Sequence, residues 1–186
     1  MRSFLIILLL VLNFQTSSKA DDIKDFEIEG LSVGETILKY LNSSEIDSRK
    51  VNYYKDNTYS SINIYPNEQI INFEIYDQLV IGFRSDDTNY IISAISGVIE
   101  MEINDCLNRI DKVTADLKEI LPNTIPTEEY DEGTLGKHTF NHFDINGDNI
   151  KVSCVEYFET DKYPNHLRIA ANKKEYQEWL NYKAYK

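Results

Sequence analysis

Two cysteines, Cys106 and Cys154, constrain this chain more than any other feature of its sequence. They stand on either side of a change in hydrophobic period. Cys106 lies in the first turn of a helical stripe made by Leu107, Ile110, Val113, Leu117, Ile120 and Leu121, with Asn104 or Asp105 as its cap and Pro122 as its stop. Cys154 lies in an alternating strand and shares a face with Val152. A bridge between them would close 48 residues and stabilise by about 4 kcal/mol in the chain-entropy account. Two buried free thiols are the alternative. A metal pair is not expected, because neither cysteine has a second ligand at zinc spacing.

The bridged form follows from the leader. Arg2, the apolar run from Phe4 to Leu12, a polar stretch from Asn13, and small residues at Ser18 and Ala20 read as a signal peptide over residues 1–20. That apolar run is too short for a bilayer, which needs roughly 20 residues. In an oxidising exported compartment a cysteine pair forms a disulfide by default. No cysteine lies near the cleavage point to carry a lipid anchor, and no later segment is long and apolar enough to span. Residues 21–186 are therefore expected as a single domain, periplasmic or secreted, with no membrane insertion after signal cleavage.

Charge narrows the partners. The chain has 19 Lys+Arg against 31 Asp+Glu and a formal net charge of −12. Losing the leader removes Arg2 and Lys19 and no acid. Such a chain repels phosphate backbones and anionic lipid, so no nucleic-acid partner is expected. An apolar content of 42% is enough for a core and excludes wholesale disorder. Ile, Asn, Lys and Tyr are abundant; their AT-rich codons make that usage partly a property of the genome.

Along the chain, Ser32 and Glu35 have the spacing of a capping box, and Val33, Ile37 and Leu41 follow at helical spacing, which predicts a helix to about Leu41. A further turn is expected over Ser44 to Lys50. Tyr59 to Tyr65 alternates as a strand, Ile70 to Tyr76 is a strand or a connection, and residues 78–100 read as a hairpin around Ser85 to Asn89. Residues 122–138 hold two prolines, two glycines and an acidic run with no period, which reads as a long, mobile acidic loop. Asn146-Gly147-Asp148 is a hairpin turn between Thr139–Ile145 and Asn149–Phe158. A strand at Leu167 to Ala171 precedes a last helix, capped by Asn172 and anchored by Tyr176, Trp179 and Leu180. The fold class is α+β: an antiparallel sheet with helices packed on one face, in the rough order α-βββ-α-βββ-α.

Chemistry is sparse. The sequence has no G-x-S-x-G, no H-E-x-x-H and no glycine-rich phosphate loop. Asp144 to Asp148 fails as a calcium loop, since its glycine is fourth rather than sixth and Val155 occupies the twelfth position. His138 and His142 are four apart, about 13 Å on a strand, too far to share an ion. No cofactor and no metal are expected. Arg84 and Arg168 each sit in a strand, among only five arginines. They are the candidate contacts for an anion or carboxylate; with 31 acids in the chain, a structural ion pair is the competing expectation for each. Tyr90, with Tyr53, Tyr54, Tyr59, Tyr65 and Tyr76, is a candidate for an aromatic binding face, against ordinary cross-strand packing.

The segment from Asp25 to Leu38, together with Tyr53-Tyr54-Lys55-Asp56, Tyr76-Asp77, Ile95-Ser96-Gly97, the helix at Cys106 and His166-Leu167-Arg168-Ile169, resembles a family of small exported proteins of AT-rich marine alphaproteobacteria related to Pelagibacter. The resemblance implies an exported location and a compact fold, and it carries over no catalytic residue. At the level of fold alone, the element pattern is also loosely similar to small periplasmic assembly and inhibitor modules.

These observations lead to the expectation of an exported, non-enzymatic binding or interaction module that meets a protein or small molecule through its sheet face or the 122–138 segment. A periplasmic hydrolase using a carboxylate or histidine site is one alternative. An envelope scaffold subunit is another.

Overall fold

A computed structural model of the chain describes residues 22–160 and 162–186. The expected leader lies outside the described residues. Leu79, Ile81 and Phe83 alternate with more polar neighbours, and the same alternation recurs in Ile62 and Ile64, in Ile150, Val152 and Cys154, and in Leu167 and Ala171. Each set is buried on one side of a sheet.

The elements are β1 (Glu27–Ile28), β2 (Leu31–Ser32), α1 (Ser43–Arg49), β3 (Tyr59–Ile64), β4 (Gln78–Arg84), β5 (Ile92–Glu100), α2 (Ile103–Ile120), β6 (Thr127–Glu132), β7 (Gly136–Ile145), β8 (Asp148–Tyr157), β9 (His166–Asn172) and α3 (Lys174–Tyr182). β1 and β2 form a small separate hairpin. The others make a seven-stranded sheet in the order β3-β4-β5-β9-β8-β7-β6, antiparallel at every pairing. β9 is the keystone: it lies between β5 and β8 and joins the two halves of the chain. The architecture is α+β, as the element pattern predicts.

The first face of the sheet carries the main core. Cys106, Ile110 and Leu117 of α2 pack there on Val152, Cys154 and Leu167, with Ile23, Ile28, Leu31 and Ile37 of the N-terminal segment completing the layer. Burying each such side chain is worth about 1.5–3 kcal/mol. Cys106 and Cys154 are bonded, with a Cα–Cα distance of 5.7 Å. The expected disulfide is thus present, and it fastens α2 to β8.

The helices do not all lie on one face. α3 packs on the second face, where Tyr176 and Trp179 meet Tyr59 and Ala94. Gly82 makes that docking possible, since a Cβ there would stand 2.9 Å from the Tyr176 ring.

Four local expectations are corrected. Ser32 does not cap a helix. It belongs to β2, and Gly34 at φ +92° turns the chain so that it pairs with the start of β5. Gly34 N donates to Ile92 O at 2.8 Å and Ile92 N to Glu35 O at 2.8 Å. These sheet-like bonds leave only a 3-10 turn, Ile37–Lys39, capped by Thr36. The capping box lies ten residues on: Asn42 and Glu45 exchange side-chain and backbone bonds of 2.8 and 3.0 Å and open α1. Second, α2 starts at Ile103, behind Glu102, rather than after Asn104 or Asp105, and Leu107 faces outward while Cys106, Ile110, Thr114 and Leu117 form the buried stripe. Third, residues 122–138 are not one loop. Thr127–Glu132 is β6, an edge strand exposed along its whole length, paired to β7. Fourth, Asn172 ends β9 and bonds Asn149. α3 is capped from a distance, by the Asp148 carboxylate accepting the Lys174 N–H at 2.7 Å.

Asn146-Gly147 turns as expected, with φ of 57° and 94°, the mirror-image turn that suits a two-residue hairpin. Among the described residues no helix is long and apolar enough to cross a membrane.

Candidate functional site

Strand register decides which side chains share the second face. Paired residues point the same way, so the rows can be followed across the sheet. One row runs Gln78, Val98, Arg168, Ser153, Phe140 and Glu129; the next runs Glu100, His166, Val155, His138 and Asp131. On the other side of the Arg168 row, Ser96, Ala170, Lys151 and His142 align. α3 covers one end of this face. The middle of it is built around β9.

Arg168 sits at that middle, half-buried. Its Nη2 donates to Ser96 Oγ at 2.7 Å. Lys151, also half-buried, stands one row away with its Nζ 3.4 Å from the centre of the Phe140 ring. Burial pushes the Lys151 ammonium down, Glu129 and Asp131 act against that, and Arg168 beside it pushes the same way as burial. Among the described residues neither cation makes an ion pair. For a chain with 31 acids this is a marked local reversal of charge. The acids these rows carry, Glu100, Glu129 and Asp131, stand at their ends.

His166 is two residues from Arg168 on the same face and only 7% exposed. Its Nδ1 lies 3.0 Å from Pro164 O. A carbonyl oxygen only accepts, so Nδ1 carries the hydrogen and Nε2 is left as a lone-pair acceptor. Nε2 is buried and has no hydrogen-bond partner. Burial holds the imidazole at about 4, far below its ordinary value. His138 is lowered too, first by burial and then by Lys151.

Aromatic rings surround this polar centre. Tyr157 lies against His166, with centroids 5.8 Å apart, and against Tyr163 at 5.2 Å. On the far side Tyr54 packs edge-on against Trp179 at 5.0 Å and Tyr185 at 5.1 Å. Burial pushes the Tyr54 phenol far up; Arg168 works in the opposite direction. Tyr53 and Tyr65 accept hydrogen bonds from Asn63 and Gln78 of the same face. Tyr53, Tyr65, Tyr163 and Tyr185 are exposed.

The three candidate contact residues are not brought together. Arg84 forms a two-point ion pair with Asp86, both bonds 3.0 Å, at the exposed end of β4. This is the structural ion pair, and it contributes little because both groups face water. Tyr90 is buried on the core side of the sheet, packed against Phe83 at 5.5 Å, and its hydroxyl donates to Asp47 at 2.9 Å. Its ring is therefore withdrawn from any ligand. Of the three, Arg168 alone is half-buried on the second face and, among the described residues, without an ion pair. His166, Lys151 and Ser96 complete its surroundings. Alternation along β9 places His166 with Arg168, and that signal is in the sequence; Lys151 and Ser96 arrive only through the pairing of strands distant in the chain.

His142 Nδ1 lies 3.4 Å from Glu129, and among the described residues no group of three His, Cys, Asp or Glu side chains is disposed to hold a metal. Compared with protein-family models, curated proteins and solved structures, the chain matches none.

Proposed function

We propose that this chain is an exported, non-enzymatic binding module that takes an anionic group on the second face of its sheet, at Arg168. One observation carries the reading: among the described residues of a chain dominated by acids, a half-buried guanidinium, beside a half-buried ammonium, makes no ion pair. Its planar fork gives one bond to Ser96 and keeps others for a carboxylate or phosphate. Charge-assisted bonds of that kind are worth about 1.5–3 kcal/mol each. The bridge between Cys106 and Cys154 supports residence in an oxidising compartment.

The test is a titration of the protein, followed by ¹H–¹⁵N spectra, with acetate, citrate and phosphate. Shifts gathered on β5, β8 and β9, and weakened at least tenfold by Arg168→Gln with the fold intact, are expected. Spectra unmoved by every anion, or shifts indifferent to the substitution, overturn the reading.

A further inference from the structure

We infer that the β6 margin of the sheet docks a basic, extended segment of another protein, which adds there as an antiparallel strand. β6 ends the sheet order, and among the described residues nothing pairs with it on its outer side. The opposite margin differs. β3 is engaged by the chain itself, where Val51 and Ser61 exchange backbone bonds of 2.8 and 3.1 Å. Every residue of β6 is exposed, so a partner reaches it without any opening of the fold.

Register shows which backbone groups face the partner. Gly133 N donates to Gly136 O at 2.9 Å where the chain turns from β6 into β7. In an antiparallel ladder, hydrogen-bonded and non-bonded pairs alternate. Asp131, Glu129 and Thr127 therefore turn their backbone groups to β7, and Glu132, Tyr130 and Glu128 turn theirs outward. The next outward position is Pro126, which has no N–H, so the free ladder runs over 128–132. In strand addition such main-chain groups supply affinity, and side chains supply the choice of partner.

The side chains here choose a cation. Glu128, Tyr130 and Glu132 share one face of the strand, and Glu129 and Asp131 share the other. Carboxylates thus flank an incoming strand on both faces, around one central tyrosine. Glu129 lies 3.4 Å from His142 Nδ1. Among the described residues Glu128, Asp131 and Glu132 make no ion pair. The segment that matches this pattern carries Lys or Arg opposite each acid and an apolar residue opposite Tyr130.

Calorimetry and ¹H–¹⁵N spectra of the full chain with the peptide acetyl-Thr-Lys-Lys-Val-Lys-Lys-Thr-amide test the inference. Its valine stands opposite Tyr130 and donates its N–H to the Tyr130 carbonyl. Binding is expected, with shifts gathered on Thr127–Glu132. N-methylation of that valine removes the donor and keeps every charge; it should weaken binding at least tenfold. Tyr130→Pro removes the matching donor from the protein, at an edge position where proline is tolerated because the N–H faces water. It should weaken binding at least fivefold more than Tyr130→Val does. Equal binding of the N-methylated peptide, or spermine binding as tightly as the peptide, reduces the margin to a patch of charge and overturns the inference. So do shifts that fall outside β6, the absence of binding, or a chain that sediments alone as a dimer which Tyr130→Pro dissociates.

Discussion

His166 shows what burial does to a single titratable group. Its imidazole is ordinarily near 6.5 and is held at about 4 in the fold, chiefly by burial. Between those values the unfolded chain holds a proton that the folded chain does not. Stability therefore rises with pH across that window, is complete above 6.5 and declines as the pH falls toward 4. The full difference is about 3 kcal/mol. Urea midpoints measured at pH 7.5, 6.5 and 5.5 should fall steadily in the native protein and much less in His166→Phe. A midpoint that rises on acidification would contradict the assignment. Arg84 and Arg168 make the complementary point. Both are strand arginines, but Arg84 has Asp86 two residues away in the adjoining turn and is neutralised by it. Arg168 has no acid close in sequence, and its strand neighbours are Val98 and Ser153. Local acid supply was the readable signal that separates them.

The element scale is where short motifs compete with long-range pairing. The Asn146-Gly147 turn was legible because two consecutive positive-φ positions need those residues. The strands of the core were legible because one face of each is buried. β6 was not: it is exposed on both faces, so nothing selects an apolar period, and its run Thr127–Glu132 reads as loop. The box at Ser32 was misleading because pairing with β5 claims the backbone there, leaving the box at Asn42 to start a helix. The site was only partly legible; Arg168 stands out in the sequence, but Lys151 and Ser96 are assembled by register. α3 depends on a contact of the same long-range kind. Asp148, at the hairpin, accepts the first helical N–H of α3 and lies 3.8 Å from the Lys173 ammonium. Asp148→Ala should cost about 1 kcal/mol and speed amide exchange selectively in Lys174–Tyr182. Uniform acceleration across the chain would show that the cap has no local role.

At the scale of the whole molecule, two covalent and topological devices hold the halves together: β9 between β5 and β8, and the Cys106–Cys154 bridge. Removing both sulfurs, in the Cys106→Ala and Cys154→Ala double variant, should lower unfolding free energy by about 4 kcal/mol, a large part of the roughly 5–15 kcal/mol available to a domain. Denaturation of oxidised and double-variant protein at pH 7.5 measures it; a difference below 1 kcal/mol would assign the stability to packing alone, by the scale of that same crosslink argument. The sheet closes on neither side, and its β6 margin is bare backbone flanked by Glu128, Glu129, Asp131 and Glu132. Two copies that tried to join margin to margin would bring those carboxylates face to face. Mutual repulsion thus opposes the joining of two copies along that margin.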